Sequence, residues 1–192
     1  MGSLSFRGLP IVLAVVIAAS ACAPPAGFRP ASGLLEDRSY EVGLGVARVS
    51  PRPYVIEEAQ NTGQLWFSTE WAPWLLVSGL AAFDDNGALG GGALRWQVLK
   101  HQRVATGLEL EGGVLWLGTS IPLALRLIDQ TWLYTAPRLS NWGAEITPFV
   151  PVGVSARVID GLSVRVEGQL SWADWKYYNR RVHLGLACAY QW

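Results

Sequence analysis

Reactive side chains are scarce in this sequence. It has two cysteines, two histidines and one methionine in 192 residues. No CxxC and no HExxH occurs, which excludes a disulfide scaffold, a zinc ribbon and a zincin-type metal centre. GxSxG and the phosphate-cradling GxxxxGK[ST] are missing as well, so no cofactor is expected. Net charge is absent, with fifteen basic residues against fifteen acidic, and nothing draws the chain to nucleic acid. Charged residues reach only 16%, where a soluble domain carries about 25%. Beyond the N-terminus no apolar run attains the roughly 18 residues of a membrane helix.

What the chain does have is 51% hydrophobic residues, ten Trp and 21 Gly. Its length fits one domain. A chain with too little charge to cover itself in water, and no helix long enough to cross a membrane, has one way left to meet lipid. It must close a β-barrel, which satisfies every backbone group internally.

The first residues read as a targeting signal. Arg7 precedes the apolar "GLPIVLAVVIAA", which is too short to span and ends in "AASAC". Ala19-Ser20-Ala21-Cys22 resembles a bacterial lipobox, which implies removal of 1–21 and a diacylglycerol on the thiol of Cys22. Ordinary cleavage after "ASA" or "ACA" leaves Cys22 incidental. Residues 22–38 hold three prolines and no period, as in a flexible tether. The barrel is expected over 39–192.

From Tyr40 the dominant period is two. "YEVGLGVARVS", "ALGGGALRWQVL", "VATGLELEGGVLWLG", "SIPLALRLIDQ", "AEITPFVPVGVSARVI", "LSVRVEGQLSWA" and the final 181–192 each alternate. Asp160-Gly161 marks a hairpin. The segment 63–83 divides at Pro73 into two strands or runs on as one kinked strand. Single-chain bacterial barrels have even strand numbers, so parity selects one strand. The expectation is an all-β, eight-stranded, antiparallel up-and-down transmembrane barrel. Short turns at 84–87, 118–120 and 160–161 then fall at the periplasmic end, and 51–63, 99–103, 131–143 and 174–180 form the outer connections. Tyr40, Phe83, Trp116, Tyr190 and Trp192 are placed in one aromatic belt. Trp66, Phe67, Trp96, Trp132, Trp142 and Trp172 are placed in the other, and Trp71 and Trp74 fit neither.

The soluble rival is a lipocalin-like binding lipoprotein, with the apolar face inside. Composition opposes it. The non-apolar face is rich in Gly and Ala and gathers Glu41, Glu70, Glu109, Glu111, Glu145 and Glu167 against Arg95, Arg126, Arg157, Arg165 and Arg181. Small residues and balanced charge suit a narrow lumen filled by its own side chains.

The terminal "AYQW" carries a resemblance. With Tyr190 and Trp192 it resembles the C-terminal signal of small outer-membrane β-barrels of the OmpA/OmpX-like superfamily. The resemblance implies a place in the bacterial outer membrane, contact with its lipids, and reading of the signal by the barrel assembly machinery. It also admits a surface ligand at the aromatic connections 131–143 and 174–180.

Chemistry is sparse. His101 sits in the "KHQR" connection. His183 projects inward, and pairing across the last connection puts it near Ser171 or Gln169, with Glu167 one step along. Ser, His and acid are the parts of a nucleophilic site, and similar small barrels include lipid-modifying enzymes. The local motifs of those enzymes are absent here, so the expectation is a lumenal histidine in the charge network, no catalytic residue, and a structural or surface-interaction role with a non-conducting lumen.

Overall fold

The computed structural model describes residues 38–51, 58–84, 87–113, 116–142, 145–172 and 180–192, without the side chains of Trp142 and Glu145. The signal segment, Cys22 and nearly all of the tether lie outside them. Twelve strands follow in order: β1 Tyr40–Val49, β2 Gln60–Ala72, β3 Leu75–Asp84, β4 Gly87–Lys100, β5 Val104–Gly113, β6 Trp116–Ser120, β7 Leu123–Ile128, β8 Thr131–Thr135, β9 Arg138–Trp142, β10 Glu145–Ile159, β11 Leu162–Trp172 and β12 Arg180–Gln191. All pairings are antiparallel, and β12 returns to β1 from Glu41↔Gln191 to Val49↔His183, which closes the sheet.

The closed ring contains ten strands, not eight: β1–β6 and β9–β12. The other two, β7 and β8, lie beyond that ring and prolong β6 and β9. Glu109 faces Ser120 in β6, and five residues earlier Val104 faces Leu125 in β7, so the register does not change across the gap. What interrupts the ladder is Pro122 in one strand and Pro137 in the next, each without an N–H to donate. Their carbonyls are still used, by Gly107 and Ile121 respectively.

Two segments account for the count. Residues 63–83 are two strands, joined at Pro73-Trp74 with a register shift between Glu70 and Ala72. Residues 131–143 are not an outer connection, because 131–142 forms β8 and β9. The connection at 99–103 shifts too: it lies at the termini end, where His101 and Val104 bond each other. Thr119 and its neighbours lie inside β6, and 84–87 joins strand ends far from the termini.

The ends of the barrel now sort cleanly. Every connection at the termini end, at 73–74, 101–103, 129–130 and 160–161, is two or three residues long. Four bulges sit beside them, at Glu70/Ala72, Gln97/Leu99, Arg126/Ile128 and Arg157/Ile159. A bulge adds the twist that a tight turn needs there. Gly161 has a positive φ of 77°, and a Cβ on it would meet the Gln191 carbonyl at 2.6 Å, so this turn admits only glycine.

The radial arrangement is inside-out relative to a soluble barrel. Leu44, Leu110, Val152 and Leu186 on the wall are 44–53% exposed, while Glu41, Arg95, Glu109 and Arg165 are 5% exposed or less. The lipocalin-like reading is therefore excluded, since its apolar side chains would point inward. The aromatic belts change as well. Tyr40, Phe67, Tyr190 and Trp192 stack with one another at the termini end. Trp71, just before the turn, and Trp74, within it, are both exposed at that same end. Phe83 sits at the far end, and Trp66 and Trp116 are not belt residues, because both are buried in the lumen.

Candidate functional site

The lumen gathers most of the buried polar groups. A ten-strand barrel has a wider interior than an eight-strand one, and two kinds of side chain fill it. The first are large rings laid across glycines of adjoining strands. Trp66 covers its cross-strand partner Gly43, and Tyr134 covers Gly153. Trp116 covers Gly91 and Gly113. These four inward glycines, Gly43, Gly91, Gly113 and Gly153, make room for the rings, while Gly118 makes room for Glu111 and Ser140.

The second kind is charge. Arg165 donates from two nitrogens to the two oxygens of Glu41, at 3.0 and 2.6 Å. The same carboxylate accepts from Trp66 Nε1 at 2.7 Å and from Gln191 Nε2. The guanidinium of Arg165 also lies 5.4 Å above the Trp66 ring, so one cluster ties β1, β2, β11 and β12 together. Arg95 pairs with Glu109 at 2.8 Å, and Ser120 Oγ reaches the other oxygen of Glu109. Arg138 pairs with Glu111 at 3.4 Å, donates to Gln169 at 3.2 Å and lies 4.6 Å above the Phe149 ring. All three ion pairs are nearly sealed from solvent. Their attraction acts at low dielectric, and the extra hydrogen bonds offset the cost of desolvation.

The remaining expected network residues divide. Glu167 is buried on β11 between Arg165 and Gln169. Glu70 pairs with Lys100 at 3.1 Å, partly exposed at the termini end. Arg126 pairs with Asp129 at 3.1 Å across the β7–β8 turn, outside the sealed interior. Arg157 is half-buried at the termini end of β10, and Arg181 is half-buried near the start of β12. The side chain of Glu145 lies outside the described residues. Arg138, Gln169, Gln191, Trp66 and Ser120 belong to the network and were not expected there. Arg138 had a legible signal, because Tyr134, Ala136, Arg138 and Ser140 alternate with Leu133, Pro137 and Leu139.

Ser171 and His183 do come together. Ser171 Oγ lies 3.0 Å from His183 Nε2, with both residues buried and the His183 ring edge-on to Phe149. Gln169, not Ser171, is the direct cross-strand partner of His183. Among the described residues no carboxylate reaches the other ring nitrogen of His183, so the group that orients the base of a triad is missing. Among the described residues there is also no cluster of His, Cys, Asp and Glu that would hold a metal ion.

No protein-family model and no curated protein matches this chain. Solved structures with similar architecture do exist. The outer membrane protease OmpT from Escherichia coli is 9% identical over 84% of this chain and 100% of its own, with a TM-score of 0.49. Neisserial surface protein A is 12% identical over 80% and 97%, at 0.45, and the KdgM porin 7% identical over 79% and 99%, at 0.47. The proteolytic, porin and surface roles in those names belong to those proteins.

Proposed function

We propose that this chain is an integral outer-membrane barrel with a closed lumen and a structural or surface-contact role rather than an enzymatic one. The observation that carries this reading is the sealed interior. Three ion pairs and three large rings occupy the cross-section, and unpaired charges there would be costly enough to keep the pairs together. Short turns and both strand termini mark the periplasmic end. Surface contact then falls to the far end, where the aromatic 172–179, "WADWKYYN", connects β11 to β12. Residues 173–179 of it lie outside the described residues. Of the other expected contact segment, residues 131–142 are strands β8 and β9 with their link rather than an outer connection.

Planar bilayer recording tests the closed lumen. The pure protein is expected to give no steady channels, whereas stable nanosiemens-scale openings would contradict the filled interior.

Tyr190 and Trp192 are proposed as the signal read by the barrel assembly machinery. Trp192 also has a place in the fold: its carbonyl accepts from Ser39 and Tyr40 at the closing seam, and its ring stacks on Tyr40 at 5.8 Å. Deleting Trp192 is expected to reduce the heat-modifiable, folded form in cells more than it reduces refolding into detergent. Equal loss in both settings would assign it to the seam alone. Lipidation at Cys22 stays part of the proposal on the strength of "ASAC", where a diacylglycerol would add a two-chain anchor to the attachment made by the barrel wall.

A second reading, a membrane-embedded lipid-modifying enzyme, is favoured by the 3.0 Å contact between Ser171 and His183. It ranks below the first because the pair is enclosed and the base has no carboxylate partner among the described residues.

A further inference from the structure

The wall is not uniformly convex. At its far end, across β12, β1, β2 and β3, it is cut by a groove of about 750 Å³. That volume lies within the range of small-molecule pockets. Its origin is local. Gly63 leaves β2 without a side chain, and the Phe83 ring lies down in that space, so close that a Cβ on Gly63 would stand 2.0 Å from it. Val46, Leu184 and Leu186 flank the groove on the other side.

The rim carries charge of both signs, Asp84 at the end of β3, which is engaged in an interaction of its own, and Arg48 on β1. Wall-facing residues of β1 run Val42, Leu44, Val46 and then Arg48, all exposed. A cation on the lipid face is tolerated near the interface and not at the midplane, so Arg48 stands at headgroup level. Among the described residues it has no ion-pair partner. Its five N–H donors form a planar fork that matches phosphate.

We infer that this groove binds one phosphate-bearing membrane lipid. An acyl chain lies against Val46, Leu184, Leu186 and Phe83, and a phosphate oxygen accepts hydrogen bonds from the Arg48 guanidinium. The groove is cut into the apolar band, which lipid chains cover. A soluble partner would have to enter below the headgroups to fill it, and free phosphate would leave its apolar walls unused. The inference rests on the membrane-spanning wall and is independent of whether the lumen conducts.

Native mass spectrometry of the detergent-solubilised full chain tests it, with dimyristoylphosphatidylglycerol and dimyristoylglycerol as probes. The phosphate-bearing probe is expected to bind one tight site and the phosphate-free probe to bind weakly. Arg48→Gln should weaken the first by about tenfold, the scale of one hydrogen bond to a charged group. Arg48→Lys should fall between, keeping the charge and losing the fork. Val46→Trp, which fills the groove, should abolish tight binding while heat-modifiable migration shows the barrel intact. Equal binding of the two probes, or affinity unchanged in Arg48→Gln or Val46→Trp, would overturn the lipid site. Failure of the wild-type chain to form a heat-modifiable barrel in membranes would instead overturn the membrane reading beneath it.

Discussion

Arg165→Met should destabilise the barrel by about 3–5 kcal/mol, the cost of removing one partner from a buried pair. Urea unfolding of protein folded into lipid vesicles would measure it. The loss follows from what is left behind. Glu41 keeps its hydrogen bonds from Trp66 and Gln191 but retains a full negative charge in a sealed interior, with its bidentate cation gone. Arg126→Met supplies the contrast. Arg126 is 34% exposed and its partner Asp129 is 95% exposed, so solvent already screens the pair and the loss should be about 1 kcal/mol or less. Removing both charges in Glu41→Gln with Arg165→Met should restore much of the lost stability, because a neutral amide still accepts from Trp66. Equal costs for Arg165→Met and Arg126→Met would mean that the interior is wet and the sealed-lumen account is wrong.

The same contrast shows what the sequence made legible. Alternation separated wall from lumen, because the period of two is set by the pleat and does not depend on how many strands there are. It placed Glu41, Arg95, Glu109, Glu111, Arg165 and Glu167 inside and put His183 beside Ser171 or Gln169, the first its hydrogen-bond partner and the second its cross-strand partner. It could not separate sealed charges from rim charges, since that depends on height along the barrel. Height in turn depends on the strand count. The break at Pro73 was weighed and set aside on parity, while the division of 104–118 between β5 and β6 and the turn at 129–130 escaped notice. Pro73-Trp74 carries no glycine or asparagine, and Asp129-Gln130 reaches the left-handed region through Gln130 at φ 70°. With a turn expected at 118–120 where β6 runs on, the count came out two strands short, so the even-number rule was satisfied at eight as well as at ten. Pro137 compounded the error. A proline flanked by Ala and Arg reads as loop, yet the strand register passes through it unchanged. With that stretch taken as loop, Arg138 was lost from the lumen.

Glycine, rather than charge, sets the other large effect. Gly43→Val should cost at least about 3 kcal/mol, in the same unfolding measurement. A Cβ at Gly43 would stand 2.0 Å from Cζ2 of Trp66 and 2.2 Å from Cε2, so the indole must leave its place. Overpacking of this kind costs about 1–3 kcal/mol. Displacing the ring also breaks its hydrogen bond to the Glu41 carboxylate, worth about 1.5–3 kcal/mol for a bond to a charged group, and removes the π-face beneath Arg165. Gly79→Val is the matched control. A Cβ there meets nothing within 4 Å, so the same substitution should stay within about 0.5 kcal/mol of wild type. Trp66→Ala combined with Gly43→Val should cost less than the sum of the two single changes, since they remove and crowd one space and cannot act independently. If Gly43→Val proves no more costly than Gly79→Val, Trp66 does not rest on Gly43, and the rings cannot be what fills the lumen.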